Sequence, residues 1–116
     1  MIEQELWEHL KNSVPLVEQR VYANIIAQTT AFPAMVYTVT KELATGGPGC
    51  ADNNRYREWN ITVYAERYLL AKEIKEQIVV ALKSFANNVY NIEISDGFEE
   101  THELFAQIVN FKTGRS

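Results

Sequence analysis

The sequence predicts an α+β fold: a mainly antiparallel sheet of about four strands with two helices packed on one face, in the order α-β-β-α-β-β. Three observations predict it. In "WNITVYA", Trp59, Ile61, Val63 and Ala65 alternate with Asn60, Thr62 and Tyr64, the period of a strand with one buried face. From about Arg67 to Phe85, the residues Leu70, Ala71, Ile74, Ile78, Ala81, Leu82 and Phe85 recur at helical spacing, with Lys72, Glu73, Lys75, Glu76 and Lys83 on the other side. Strand-like segments lie in pairs before and after that helix, which favours two hairpins over a parallel sheet with alternating helices.

Taken in order, the first element is a short amphipathic helix. Ile2, Leu6 and Leu10 recur every four positions with Trp7 beside them, Glu3, Glu8 and Lys11 occupy the rest of the wheel, and Pro15 discourages continuation. "AMVYTVT" is rich in β-branched and aromatic residues and pairs naturally with "WNITVYA". Between them, "KELATGGPGCADNNRYRE" clusters Gly46, Gly47, Pro48 and Gly49 before Asp52, Asn53 and Asn54, so a flexible loop is expected over about 41–57. After the long helix, "VYNIEI" sets Tyr90, Ile92 and Ile94 on one face, Asp96-Gly97 supplies a turn signal, and "LFAQIVNFKT" forms the last strand.

Composition sets the outer bounds. A chain of 116 residues is long enough to bury a core, so 1–116 reads as a single domain. Its apolar share of 47% and charged share of 22% are those of a globular protein, and the apolar runs fall far short of a bilayer span. The start, "MIEQELWEHLKNS", is acidic where a signal peptide is basic and apolar, which argues against that export route. Cys50 is the only cysteine, which fits a reducing compartment and leaves no internal disulfide. A formal charge of -4 gives no basic footprint for phosphate backbones, so specific nucleic-acid binding is not expected.

With both helices on one face of the sheet, the other face needs a cover. Tyr37 or Val36, Tyr64, and either Leu104, Ala106 and Ile108 or Phe105, Val109 and Phe111 point that way, because the last strand is apolar at both parities. So much apolar surface suggests a partner subunit. The candidate interface residues are Tyr64, Phe105, Val109 and Phe111 on that face, with Arg55, Tyr56 and Arg57 at the far end of the loop, since Arg and Tyr are enriched at interface hot spots.

Two segments carry a family resemblance: "RVYANIIAQTTAFPAMVY" from Arg20 to Tyr37 and "ITVYAERYLLAKEIKEQIVVAL" from Ile61 to Leu82. In order and spacing the chain resembles the tail-completion (tail-terminator, head-tail joining) proteins of long-tailed bacteriophages and prophages. There an Arg-Val-Tyr segment leads through a loop to a Pro-x-x-Val-Tyr strand, and a later strand runs directly into a helix of this kind. Ala23 stands where the family often has proline, and Ala27-Gln28 keeps only the glutamine of a Pro-Gln pair. The resemblance implies a virion component, made in the host bacterial cytoplasm, that caps the tail tube and joins it to the head. It further implies a homo-oligomeric ring, usually a hexamer, with the genome passing through its channel and with tail-tube and head-tail connector proteins as partners. No enzyme activity, cofactor or membrane contact is implied. A small α+β enzyme or ligand-binding module is the alternative, since fold alone does not fix function.

Other features read as structural. His102 stands beside Glu100 and Glu103 in "EETHE", a solvated hairpin tip more readily than a metal site. His9 falls on the polar-to-apolar border of the first helix and reads as a surface or satisfied helix residue more readily than as a base. Cys50 has no histidine near it in sequence, and "GGPG" lacks the Lys-Ser/Thr ending of a phosphate loop, so no catalytic, cofactor or metal residues are assigned.

Overall fold

The computed structural model describes residues 2–15, 20–23, 32–43, 56–85, 89–101 and 103–114. They form α1 (Ile2–Ser13), β1 (Val21–Ala23), β2 (Ala34–Leu43), β3 (Tyr56–Ala65), α2 (Tyr68–Ser84), β4 (Val89–Glu99) and β5 (Leu104–Thr113). Arg55, Cys50, His102 and the "GGPG" tip lie outside the described residues. The sheet runs β1-β2-β3-β5-β4, with β1 parallel to β2 and the other pairs antiparallel. It is therefore a mixed sheet of five strands, one more than the periodicity indicates. The extra strand is only three residues long, too short to show a period, and a parallel partner is reached by a crossover and not by a hairpin turn.

Register sorts the side chains into rows that cross the sheet. One face carries Val21–Met35–Val63–Gln107–Asp96 and Tyr37–Ile61–Val109–Ile94. The opposite face carries Val36–Thr62–Ile108–Ser95 and Thr38–Asn60–Asn110–Glu93. Both helices cover the first face. Leu6, Leu10 and Val14 from α1 and Ile74, Ile78, Ala81 and Leu82 from α2 join Met35, Tyr37, Trp59, Ile61, Val63, Val109 and Phe111 in one buried cluster. Helical spacing of 3.6 residues meets strand spacing of two at this layer, and each helix buries one stripe.

Trp59 is the centre of that layer. It is 1% exposed and lies parallel to Phe111, its partner on β5, with ring centroids 5.8 Å apart and planes 3° from parallel. Its Nε1–H donates to Thr113 Oγ1 at 2.8 Å, so the indole's one polar group is satisfied inside the core. Tyr37 meets the same ring at a tilt, 6.4 Å away.

The helices are tied to the sheet and to each other by a few polar contacts. Trp7 Nε1–H donates to Val21 O at 2.9 Å, which fixes α1 against β1, while Lys11 Nζ sits 3.9 Å over the Trp7 ring. His9 Nε2 lies 2.7 Å from Ala81 O. A carbonyl can only accept, so that nitrogen carries the proton, and His9 is a helix-to-helix link as its position on α1 suggests. Met35 N–H donates to Arg20 O at 3.0 Å, and Arg20 Nε–H to Pro33 O at 2.8 Å. The two Val-Tyr pairs are thereby laid side by side, Tyr22 opposite Val36 and Val21 opposite Met35. Val21 and Tyr37 are buried, so the first pair gives its valine to the core and the second its tyrosine.

Three expectations are corrected by the strand pairing. Lys41–Leu43 and Tyr56–Arg57 are paired strand ends and not loop: Lys41 faces Glu58 and Glu42 faces Arg57, opposite charges across the ladder. Asp96-Gly97 is not a turn. β4 continues through it to Glu99 and the chain reverses between Glu99 and Leu104, where Glu103 N–H reaches Glu100 O and Glu103 has a φ of 53°. Tyr90 and Ile94 do not share a face, because the register shifts between Tyr90 and Glu93, where Asn91 adopts a φ of 53°. An extra residue at a bulge reverses the parity of everything after it.

These contacts set two expectations. Trp59→Ala removes the largest core side chain and should lower unfolding free energy by about 3–5 kcal/mol, whereas Trp59→Phe keeps the stack, strands Thr113 Oγ1 and should cost about 1–2 kcal/mol. Urea titration followed by far-UV circular dichroism separates them; equal losses would mean that the hydrogen bond carries nothing. At Gly97 an added Cβ would sit 3.5 Å from Ile108 Cδ1 and 3.6 Å from Ala106 Cβ, ordinary contact distances. Gly97→Ala in a strand should therefore be neutral or stabilising by about 0.5–1 kcal/mol. A marked loss in the same titration would return Gly97 to a turn.

Candidate assembly surface

The open face of the sheet is more polar than the sequence suggests. At its centre Asn60 Nδ2–H donates to Asn110 Oδ1 at 2.9 Å and Thr62 Oγ1–H donates to Asn60 Oδ1 at 2.8 Å. This ladder of amides and hydroxyls is half-buried, as are Val36 and Ile108 next to it. Apolar character gathers at one end, where Tyr64 lies in the row Ala34–Tyr64–Ala106–Gly97 near the start of β5.

Of the sequence-predicted contact residues, Tyr64 is thus on the open face and half-buried. Tyr56 is buried at the far end of the same face, its hydroxyl donating to Glu58 Oε2 at 2.8 Å. Arg57 is on the helix side and only 3% exposed, with Nε 3.6 Å from Glu42 Oε2. Val109 and Phe111 do not point away from the helices: both are within the subunit's own core, opposite Ile61 and Trp59. The parity of β5 decides this, since Thr113 and Gln107 share their face and are equally buried. Phe105 shares that parity but lies beyond the helix cover, half-buried at the rim.

Around Phe105 the structure assembles a cluster that periodicity did not single out. Phe105 meets Phe98 edge-on at 5.3 Å and Tyr68 edge-on at 5.7 Å. Phe98 is 51% exposed, Leu69 beside Tyr68 is 77% exposed, and Ile94 is also exposed. Asp96 links the strands to α2: Gln107 Nε2–H donates to its Oδ1 at 2.7 Å and the Tyr68 hydroxyl to its Oδ2 at 3.2 Å. The Gln107 hydrogen bond, opposed by partial desolvation and aided by Lys72, Tyr68 and Lys75, holds the Asp96 carboxyl below its usual range. Lys72, 5.0 Å over the Tyr68 ring, is shifted upward by Tyr68 and then by Asp96. The one available signal for this cluster was "RYLL": Tyr68 and Leu69 precede the buried helical stripe and do not fit it.

Among the described residues no group of three His, Cys, Asp or Glu side chains is placed to hold a metal ion, and no helix is long and apolar enough to cross a membrane.

Neither a protein-family model nor a curated protein matches the sequence. Solved structures do match the fold. A chain from the virion of a native gene transfer agent particle superposes with a TM-score of 0.63 at 13% identity, over 93% of this chain and 89% of that one. The gp17 protein of bacteriophage SPP1 superposes with a TM-score of 0.61 at 13% identity, over 99% of this chain and 88% of its own. The resemblance to phage tail-completion proteins seen in the two sequence segments thus has its counterpart in the fold, which this chain shares with proteins of a phage and of a gene transfer agent particle.

Proposed function

We propose that this chain is a structural component of a phage or prophage virion, which caps the tail tube and joins it to the head by forming a ring of identical subunits. The observation that supports the reading is the fold shared over nearly the whole chain with a chain of a gene transfer agent virion and with gp17 of bacteriophage SPP1. The Arg20–Tyr37 and Ile61–Leu82 segments support it from the sequence side. A closed ring needs two different patches on each subunit, one for each neighbour. The apolar end of the open face with Tyr64, and the rim around Phe105, are the patches offered here for ring contacts, with Tyr56 at the far end of the same surface. Tail-tube and connector proteins would meet the two flat sides of the ring.

Size exclusion with light scattering, alone and with purified tail tubes, tests the assembly. A ring-sized species is expected, hexameric by the family resemblance, and a strict monomer under both conditions would overturn the reading. A second expectation concerns DNA. Six copies at -4 would carry a formal charge of about -24, with no basic stripe from which a duplex could release counterions. Fluorescence anisotropy against duplex DNA should show no specific binding near physiological salt. Submicromolar affinity that falls steeply with added salt would replace the conduit by a nucleic-acid-binding role.

A further inference from the structure

The two edges of the sheet are finished differently. At one edge β1 is three residues long and the carbonyl of Val21 accepts the Trp7 indole N–H, so the outward backbone is occupied by the protein itself. At the other, β4 is eleven residues long and has β5 as its one strand neighbour among the described residues. Its bulge disturbs only the start. From Glu93 to Glu99 it pairs with β5 in continuous register, which leaves the outer row of N–H and C=O groups of that stretch facing outward. Neither proline nor lysine guards it.

Side chains along this edge form a pattern of their own. Ile94 and Phe98 lie on the helix side, exposed, with Asp96 between them turned to Gln107 and Tyr68. Glu93 and Glu99 lie on the open-face side, Glu99 already accepting the Thr101 N–H at 3.0 Å, and β4 contains no basic residue at all. Pairing of β4 with β4 of a second copy would set these acids against one another. Like charges facing across a ladder are destabilising, so the acids guard against self-pairing. The same guard is passed by a strand of opposite charge.

We propose that the outer edge of β4 receives, by strand addition, an extended segment of another protein with alternating side chains, apolar residues over Ile94 and Phe98 and Lys or Arg beside Glu93 and Glu99. This chain itself offers no such segment. β2, β3 and β5 are internal strands, and the sequence outside the described residues contains only Arg55 and Arg115 as basic residues, the first at the end of a Gly- and Pro-rich stretch. The acids of β4 disfavour its own strand as the occupant, which makes a different protein the candidate.

The probe is a capped peptide of about ten residues alternating Lys with Val or Thr, matched by one with Glu in place of Lys. Amide hydrogen exchange read by NMR on the intact chain should show β4 amides protected by the Lys peptide, with affinity at least about tenfold above that of the Glu peptide, because the cross-strand charge pairs at Glu93 and Glu99 change sign. Glu93→Lys with Ser95→Lys, both at exposed positions, should abolish that preference while the circular dichroism spectrum is unchanged. Equal binding of the two peptides, protection elsewhere than β4, or no protection overturns the proposal. So does protection of β4 that grows with protein concentration alone, which would make a second copy the occupant. Light scattering on the same samples reports ring formation separately.

Discussion

The parallel stack of Trp59 on Phe111 is the contact on which the rest of the structure depends. It joins β3 to β5, two strands far apart in sequence, at the point where the sheet meets both helices. Strand pairing by itself leaves the choice of face open, because a slip of one residue would turn every side chain over. A buried indole with a single donor removes that freedom. Its N–H must find a partner, and Thr113 on the same face supplies it only in this register. Once β3 and β5 are fixed, β2 and β4 have their places on either side, and α2 has one stripe of sheet against which Ile74 and Ile78 can be buried.

Much of this was legible in the residues. The alternation around Trp59 and the helical spacing of Leu70 to Phe85 are strong periodic signals, and both elements lie where those signals put them. What escaped was governed by backbone conformation and not by pattern. Asp96-Gly97 looks like a turn because aspartate and glycine suit one, but reversal occurs where Glu103 takes a positive φ, a conformation glutamate does not advertise. The bulge at Asn91 inverts the parity of the following strand, which no reading by strict alternation can anticipate. The assignment of Val109 and Phe111 to the outer face failed for a related reason. β5 is apolar at both parities, and only its pairing with Trp59 shows which set is inside.

Surfaces were less legible than the core because their residues answer to no period. The open face, expected to be apolar, is centred on Asn60, Asn110 and Thr62, whose side chains satisfy one another along the sheet. Such a ladder suits a face that is wet in the free subunit. Exposed apolar groups are gathered instead at the β4 end, around Tyr68, Phe98 and Phe105. Tyr68, Leu69, Ile94 and Phe98 thus share one end of the fold, with Leu43 and Val80 exposed apart from them, and at the other sheet edge the Val21 carbonyl is taken by Trp7.

This division also accounts for how a fold can be shared with the gene transfer agent chain and with gp17 of SPP1 at only 13% identity. The core asks only for apolar residues of suitable volume at alternating positions of β3 and β5 and along one stripe of α2, a requirement that many sequences meet. The surface is under no such requirement. Exposed residues such as Leu69 and Glu93 contribute little to holding the fold together, so they are free to vary. A core of this kind preserves a shape while the exposed residues diverge, which is why a shared fold does not by itself fix what the exposed residues do.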